Sequence, residues 1–257
     1  MTTSLTTQTT QQQTVTPDVL SAKRLVIAVD GPAAAGKGTL AVNLAKRLGL
    51  GYLDTGALYR AVALAVVETG GDASNISDVR PALEIVKRNL TPELLSNPAI
   101  RTPEVAQAAS QVSALPEVRA ALLDFQRDFT QNPQWAFTVD GTLTTALEHI
   151  GGAVLDGRDI GTVVCPEADM KFFVTASAQV RAQRRFKELS VKNPDITYEQ
   201  VLADQLARDE RDQTRATAPL RAATGAYILD TTSLNADEVL EEALAIIRSK
   251  FIAATQG

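Results

Sequence analysis

Short apolar runs alternate along this chain with stretches in which apolar residues recur at helical spacing, and that alternation sets the expected elements. Leu25 to Val29 reads LVIAV, nearly all apolar, and gives way to Asp30 and glycine-rich sequence. This is the pattern of a strand buried on both faces that ends in a functional loop. A helix is expected from about Lys37 to Leu48, a brief strand from Gly51 to Leu53, and a helix from about Gly56 to Glu68. From Pro81 to Phe129, Pro92, Pro98, Pro103 and Pro116 divide the pattern into several short helices. Strand-like runs return at Ala153 to Leu155, Met170 to Thr175 and Ala226 to Leu229, with helical patterns between and after them. Strands alternating with helices call for a central parallel sheet covered on both faces, a three-layer α/β fold. Residues 1 to 22, rich in Thr and Gln and without either period, are expected to be a disordered tail, and no internal repeat is present.

With 257 residues, 45% of them hydrophobic and 21% charged, the chain has the composition of a globular protein and the length to bury a full core. One domain, or one core carrying inserted subdomains, is therefore expected. A formal net charge of −5 disfavours nucleic acid or an anionic membrane surface as a partner, so an anionic substrate has to meet locally clustered cations. The single cysteine, Cys165, excludes an intramolecular disulfide, and the single histidine, His149, excludes a histidine-built metal site. After Arg60 the longest apolar stretch, Ala61 to Val67, is far short of the roughly 20 residues a membrane span needs. Met1 to Thr16 has neither a basic residue nor the apolar run of a signal peptide, so a cytoplasmic protein is expected.

Candidate chemistry starts directly after the first apolar run, in GPAAAGKGT, Gly31 to Thr39. Gly31 and Gly36 allow backbone conformations and close approaches that a Cβ obstructs, so that several N–H groups of the loop, which runs on through Pro32, Ala33, Ala34, Ala35 and Gly38, can point at phosphate oxygens. Lys37 supplies a positive charge for the β and γ phosphates, and the helix that begins here adds its positive N-terminal end. The strict form of this phosphate-binding loop, the P-loop, has Ser or Thr directly after the lysine; here Gly38 intervenes and the hydroxyl that can ligand Mg²⁺ is that of Thr39. No N-K-x-D guanine-reading motif follows, which weighs against a GTPase.

Three further segments belong with that loop. In DTGALYR, Asp54 to Arg60, a strand passes into a helix that Thr55 is placed to cap, and Arg60 projects about a turn later, where it can clamp an acceptor phosphate. DGRDIG, Asp156 to Gly161, follows the apolar Ala153 to Leu155, and loops at the carboxyl ends of parallel strands share one cleft. There Asp156 can hold the water shell of a metal and Arg158 can reach phosphate. In RDERDQTR, Arg208 to Arg215, helical spacing puts Arg208, Arg211, Asp212 and Arg215 in one stripe with Asp209 and Glu210 turned away. Eight arginines fall between Arg158 and Arg221 in a protein of net negative charge, a concentration that favours a polyanion cleft.

Taken in order, GPAAAGKGT, DTGALYR, EVAQAASQVSALPEVRAAL, DGRDIGTVVCPEA, RAQRRFKEL and RDERDQTRATAPL resemble the bacterial cytidylate kinases over about residues 24 to 251. The resemblance implies a P-loop NTPase-type fold over residues 23 to 257 with a helical monophosphate-binding insert at about 70 to 130 and a small lid at about 186 to 196. It places ATP and Mg²⁺ on Gly31 to Thr39, and the CMP or dCMP phosphate on Arg60, Arg158 and Arg215 with Thr55 nearby. It implies that Ser110, Arg119 and Asp159 read cytosine and that Arg208 and Asp212 hold the ribose. Arg181, Arg184 and Arg185 resemble the arginines that lead into the lid. This chain departs from the family in three ways: Asn89 to Ile100 is short where many relatives carry a longer insert with a β-hairpin, residues 134 to 151 look like an extra loop, and Thr55 stands where a serine is common.

Both lines of reading point to in-line transfer of the γ-phosphoryl group of ATP, with Lys37, Arg158, Arg184 and Arg185 stabilising the charge in flight and Thr39 and Asp156 organising Mg²⁺. No general base is needed, because the acceptor is already a phosphate oxyanion. A monomer is expected. The alternatives are another small-molecule P-loop kinase, such as an adenylate, thymidylate or shikimate kinase, and a non-catalytic module that senses nucleotides.

Overall fold

The first apolar run forms β1 (Leu25–Asp30) at the heart of the sheet, paired in parallel with β5 (Gly152–Gly157) on one side and β6 (Met170–Thr175) on the other. The computed structural model describes residues 24–137, 142–145, 150–191 and 193–255, so the tail at 1 to 22 and His149 lie outside it. β2 (Gly51–Asp54) pairs in parallel with β5, and β7 (Tyr227–Asp230) pairs in parallel with β6. With β3 (Trp135–Phe137) and β4 (Leu143–Thr145), the sheet runs in the order β4-β3-β2-β5-β1-β6-β7.

The two-residue period of the strands divides their side chains between two cores. Leu25, Ile27 and Val29 of β1 join Val154 of β5 and Met170, Phe172 and Val174 of β6 on one face. That face is covered by α1 (Lys37–Leu48) and α9 (Ala236–Thr255). Ala28, Leu53, Ala153 and Leu155 point the other way, beneath α2 (Thr55–Glu68). All six residues of β5 are buried, which is why its sequence reads as a run and not as an alternation.

α2 is itself covered by α3 (Ile76–Arg88) and α5 (Pro103–Val112), with α6 (Pro116–Gln131) completing that layer. Its small residues Ala57, Ala61 and Ala63, all buried, let these neighbours approach. The prolines that punctuate this region open elements as expected: Pro92 starts α4 (Pro92–Ser96), Pro98 a 3₁₀ turn to Arg101, Pro103 α5 and Pro116 α6. The first helical position suits proline because its missing N–H has no partner there in any case. Thr91, Asn97 and Thr102 cap three of these starts through their side chains. Pro81 behaves differently, lying inside α3, which begins five residues earlier at Ile76.

Two expectations change. Residues 134 to 151, read as an extra loop, include β3 and β4, which pair antiparallel and extend the sheet at its β2 edge; residues 138–141 and 146–149 lie outside the described set. Trp135 is 2% exposed and its ring lies 5.0 Å from that of Phe129 and 5.9 Å from that of Phe125. Aromatic packing against α6, invisible in the local pattern, makes this segment part of the core. Likewise α7 (Ala178–Ser190) runs four residues past Phe186, so the connection to α8 (Tyr198–Thr214) begins only at Val191, and within it Lys192 is not described. Phe186 and Tyr198 meet edge to face at 6.4 Å across the base of that connection.

Trp135→Ala is therefore expected to cost about 3 to 5 kcal/mol, the usual loss for a buried large aromatic. Urea unfolding of the variant measures it; a loss below about 1 kcal/mol would place β3 outside the cooperative core.

Candidate active site

The carboxyl ends of β1, β2 and β5 bring three loops to one edge of the sheet. After β1, the backbone of Gly31 passes so close to β6 that a Cβ there would lie 2.0 Å from the carbonyl oxygen of Val174. Ala34 at φ 57° and Gly36 at φ 92° take left-handed conformations that turn the chain into α1. Gly36, the residue before α1, gives that helix no side-chain cap, so its first-turn amides have no side-chain acceptor of their own. Carbonyls of the loop are gripped from behind: Arg181 donates to Ala33 O at 3.3 Å, and Thr231 Oγ1 donates to Ala35 O at 2.9 Å. Arg181 is itself ion-paired with Asp209 at 2.7 Å, which ties α7 to α8.

Lys37 begins α1, and Gly38 beside it would put a Cβ 3.4 Å from Asp156 Oδ2. Asp156 ends the apolar part of β5 and is 4% exposed. Burial, with Asp54 nearby, pushes its carboxyl up to about 7 against the pull of Lys37, Arg60 and Arg158. Burial and the neighbouring Arg158 bring Lys37 down to about 8, with Asp156 and Asp54 opposing. The Asp54 carboxyl goes the other way. Burial works to raise it, but Arg60, Lys37 and Arg101 together hold it below its ordinary value. Its geometry agrees: Asp54 accepts from Arg60 at 2.6 Å and lies 3.9 Å from Arg101. Tyr52 donates to Asp156 Oδ1 at 3.3 Å.

The residue that caps α2 is Asp54, which accepts from Ala57 N at 3.0 Å, and not Thr55 as the sequence suggested. Thr55 is the first helical residue and donates its hydroxyl to Asp156 O at 2.8 Å, binding the starts of the DTG and DGRD loops together. Gly157 makes room for this hydroxyl, since a Cβ there would sit 2.6 Å from Thr55 Oγ1.

A second cluster lies beyond Gly157. Asp159 is 6% exposed, closely ion-paired with Arg119 of α6 and 3.6 Å from Arg215. Arg119 also donates to Ser113 O at 3.2 Å and sits 5.7 Å above the Tyr59 ring. Arg158 donates through Nε to Asp212 Oδ2 at 2.9 Å. Arg208 lies alongside with its Nε buried and without a hydrogen-bond partner, and burial with the neighbouring Arg158 lowers its guanidinium to about 10. Arg60 Nε and one Arg215 terminal nitrogen are in the same condition. Ser110, on α5, is 8% exposed and meets Arg211 Nε at 3.4 Å.

One cavity is lined by Lys37, Thr55, Arg60, Ser110, Arg119, Asp156, Arg158, Asp159, Arg208, Asp212 and Arg215, all candidates from sequence, together with Asp54 and Tyr59, which sequence reasoning passed over. Asp54 was in plain view, as the acid that ends β2 just where Asp30 ends β1 and Asp156 closes the apolar run of β5. Six cationic side chains face four carboxylates there, an excess of two positive charges in a protein of net charge −5. Arg184 and Arg185 do not line it. Arg184 donates to Thr231 Oγ1 at 2.9 Å and to Thr231 O at 2.6 Å, and Arg185 pairs with Glu188 at 2.8 Å on the surface of α7. Asp209, turned away from the arginine stripe as expected, is buried against Arg181 and not in solvent. Among the described residues no three His, Cys, Asp or Glu side chains form a metal cage, and Thr39 is exposed at the mouth of the loop.

Residues 27–146 and 138–249 match the family model described as cytidylate kinase. A cytidylate kinase of Granulibacter bethesdensis is 50% identical over 228 residues, covering 89% of this chain and 99% of the relative. One of Paramagnetospirillum magneticum is 51% identical over 225 residues, covering 88% and 98%. Among solved structures, an uncharacterized protein from Eubacterium ventriosum superposes with a TM-score of 0.50 at 10% identity over 88% of this chain and 99% of that one, a likeness of fold alone.

Because Asp156 and Asp30 titrate at about 7 and about 6 in the native protein against 3.8 ordinarily, the native state binds more protons than the unfolded chain in that interval. Their contribution to stability is thus complete below about pH 4 and is lost as pH rises toward 7. Urea midpoints of the ligand-free protein between pH 5 and 8 should fall more steeply for the wild type than for Asp156→Asn. Parallel profiles would mean that Asp156 does not titrate in the native protein between pH 5 and 8.

Proposed function

The chain belongs to the cytidylate kinase family, and we propose that it transfers the γ-phosphoryl group of ATP to the phosphate of CMP or dCMP, giving ADP and CDP or dCDP. One observation carries the acceptor half of this reading: a cavity with an excess of two positive charges, in which Arg60 Nε, Arg208 Nε and one Arg215 terminal nitrogen are buried without a hydrogen-bond acceptor. A dianionic phosphate supplies what those nitrogens lack. Arg60, Arg158 and Arg215 take the acceptor phosphate, with the Thr55 hydroxyl beside them. Ser110, Arg119 and Asp159 take the base, and Arg208 and Asp212 the sugar.

The donor phosphates of ATP lie on the amides of Gly31 to Thr39 and against Lys37, where the uncapped start of α1 offers donors to an anion. Mg²⁺ suits this site without a cage, since that ion keeps several waters and takes one or two protein oxygens plus substrate phosphates. Thr39 and Asp156 are the candidate protein donors, and the ion neutralises charge on the donor phosphates when bound. Asp156, pushed up to about 7 by burial and the neighbouring Asp54, would be favoured as the carboxylate by such a cation beside it.

In-line transfer then depends on alignment and on charge neutralisation. Lys37, which belongs to the donor loop, and Arg158 both line the acceptor cavity and are assigned to the transferring group. Arg184 and Arg185 are assigned there too, which requires Arg184 to leave Thr231 when ATP is bound. All these residues belong to one chain, so a monomer suffices. No helix among the described residues is long and apolar enough to cross a membrane, and a cytoplasmic setting fits the substrates.

Coupled-assay turnover of CMP, dCMP, UMP, AMP, dTMP and shikimate with ATP tests the reading: CMP and dCMP are expected to be the best acceptors, and preference for any of the others would replace it. Lys37→Ala should abolish most turnover while leaving the melting temperature close to wild type. Arg60→Ala and Arg215→Ala should weaken the acceptor more than ATP, by about 1.5 to 3 kcal/mol for each charge-assisted contact. Equal effects on both substrates would remove the phosphate assignment.

A further inference from the structure

Arg158 and Asp159 are the two residues between the last rung of the β1–β5 ladder and the turn that follows. That ladder ends with Asp30 opposite Gly157. Beyond it, Ile160–Val164 form a single π-helical turn, closed by Val164 N to Asp159 O at 3.2 Å and Cys165 N to Ile160 O at 2.7 Å. Turns of this kind expose first-turn amides that the preceding residue normally caps with its own side chain, and an aspartate is among the best caps. Asp159 occupies that position and makes no such bond.

Asp30 makes them instead. Its Oδ1 accepts from Ile160 N at 2.7 Å and its Oδ2 from Gly161 N at 2.8 Å, all within the buried interior. The same residue therefore pins the segment on both sides of Arg158 and Asp159: through its backbone rung at Gly157, and through its carboxylate at Ile160 and Gly161. At the far end of the turn Arg127 of α6 donates to Val163 O and Val164 O, each at 3.1 Å. Because another carboxylate has taken the amides, that of Asp159 is free to face the cavity, where Arg119 and Arg215 hold it.

We infer that Asp30 is a positioning residue for acceptor recognition, a cap supplied from the neighbouring strand that leaves Asp159 free for the base and Arg158 fixed for the phosphate. This rests on the acceptor cavity proposed above. Both hydrogen bonds to the Asp30 carboxylate come from the turn at Ile160 and Gly161, so its effect belongs to the acceptor side although it directly precedes Gly31.

Asp30→Asn keeps the size and replaces one accepting oxygen with a donor, leaving one amide without an acceptor and its own cap site open to Asp159. Calorimetric titration with CMP, with UMP and with ATP reads the outcome. CMP affinity is expected to fall about ten-fold, the size of one buried amide losing its acceptor, with UMP falling less and ATP unchanged. Arg127→Gln, at the outer end of the turn, should move CMP in the same direction by a smaller factor, and Arg127→Lys should restore part of it; this pair carries the test if Asp30→Asn does not fold. Folded variants with lower stability but wild-type CMP and UMP affinities would make Asp30 merely structural and overturn the proposal, as would equal losses for CMP and ATP. A wild-type protein that bound ATP but no CMP would remove the acceptor reading, and the positioning role with it.

Discussion

The parallel pairing of β1 with β5, from Leu25 opposite Gly152 to Asp30 opposite Gly157, is the constraint from which the site follows. Parallel strands end at the same edge of a sheet, so this register delivers the loop that begins at Gly31 and the loop that begins at Arg158 to the same place with no offset. β2 adds its own carboxyl end in register with β5, Asp54 opposite Asp156, and the DTG turn arrives beside them. A slip of one residue would send Asp156 to the opposite face and separate it from Lys37. The two apolar cores on either side of the sheet hold the register, because each strand has already committed alternate residues to one of them.

On that frame the charged groups at the site satisfy one another only in part. Asp54 holds Arg60, Asp212 holds Arg158, and Asp159 holds Arg119 and approaches Arg215. Each pairing holds a guanidinium at the cavity, where Arg119, Arg158 and Arg215 also donate to the carbonyls of Ser113, Gly157 and Ala218, and the surplus of cations still leaves donors unused. Burying that many charges is costly unless they are mutually compensated. Burial raises Asp156 and lowers Lys37 and Arg208, and the charges around each oppose these shifts only in part. Such perturbation in a cleft is characteristic of binding and catalytic sites.

Much of this was legible in the chain, for identifiable reasons. LVIAV followed by glycines declares a buried parallel strand and a phosphate loop because both faces of that strand and the close approach at Gly31 demand those residue types. Pro92, Pro103 and Pro116 marked the divisions between short helices, and each opens the next helix because proline fits the first turn. What stayed hidden depended on distant partners. Trp135 looked like loop sequence until Phe125 and Phe129 covered it. Thr55 looked like a cap, but Asp54 precedes it with a better acceptor, which frees the hydroxyl for Asp156 O. Nothing in a local window tells that Asp30 caps a turn 130 residues further on, or that Arg184 rests on Thr231 and not in the cavity.

The central claim is that the cavity is an arginine cluster short of one phosphate dianion, and that the nucleoside part adds selection to it. Thermal unfolding of the protein in CMP and in cytidine at equal concentration and ionic strength tests it most directly. CMP at about a hundred times its dissociation constant is expected to stabilise the fold by roughly 2.7 kcal/mol, with a clear rise in melting temperature, while cytidine leaves the melting temperature nearly unchanged. Equal stabilisation by the two would show that the base and sugar, and not the phosphate, complete the site.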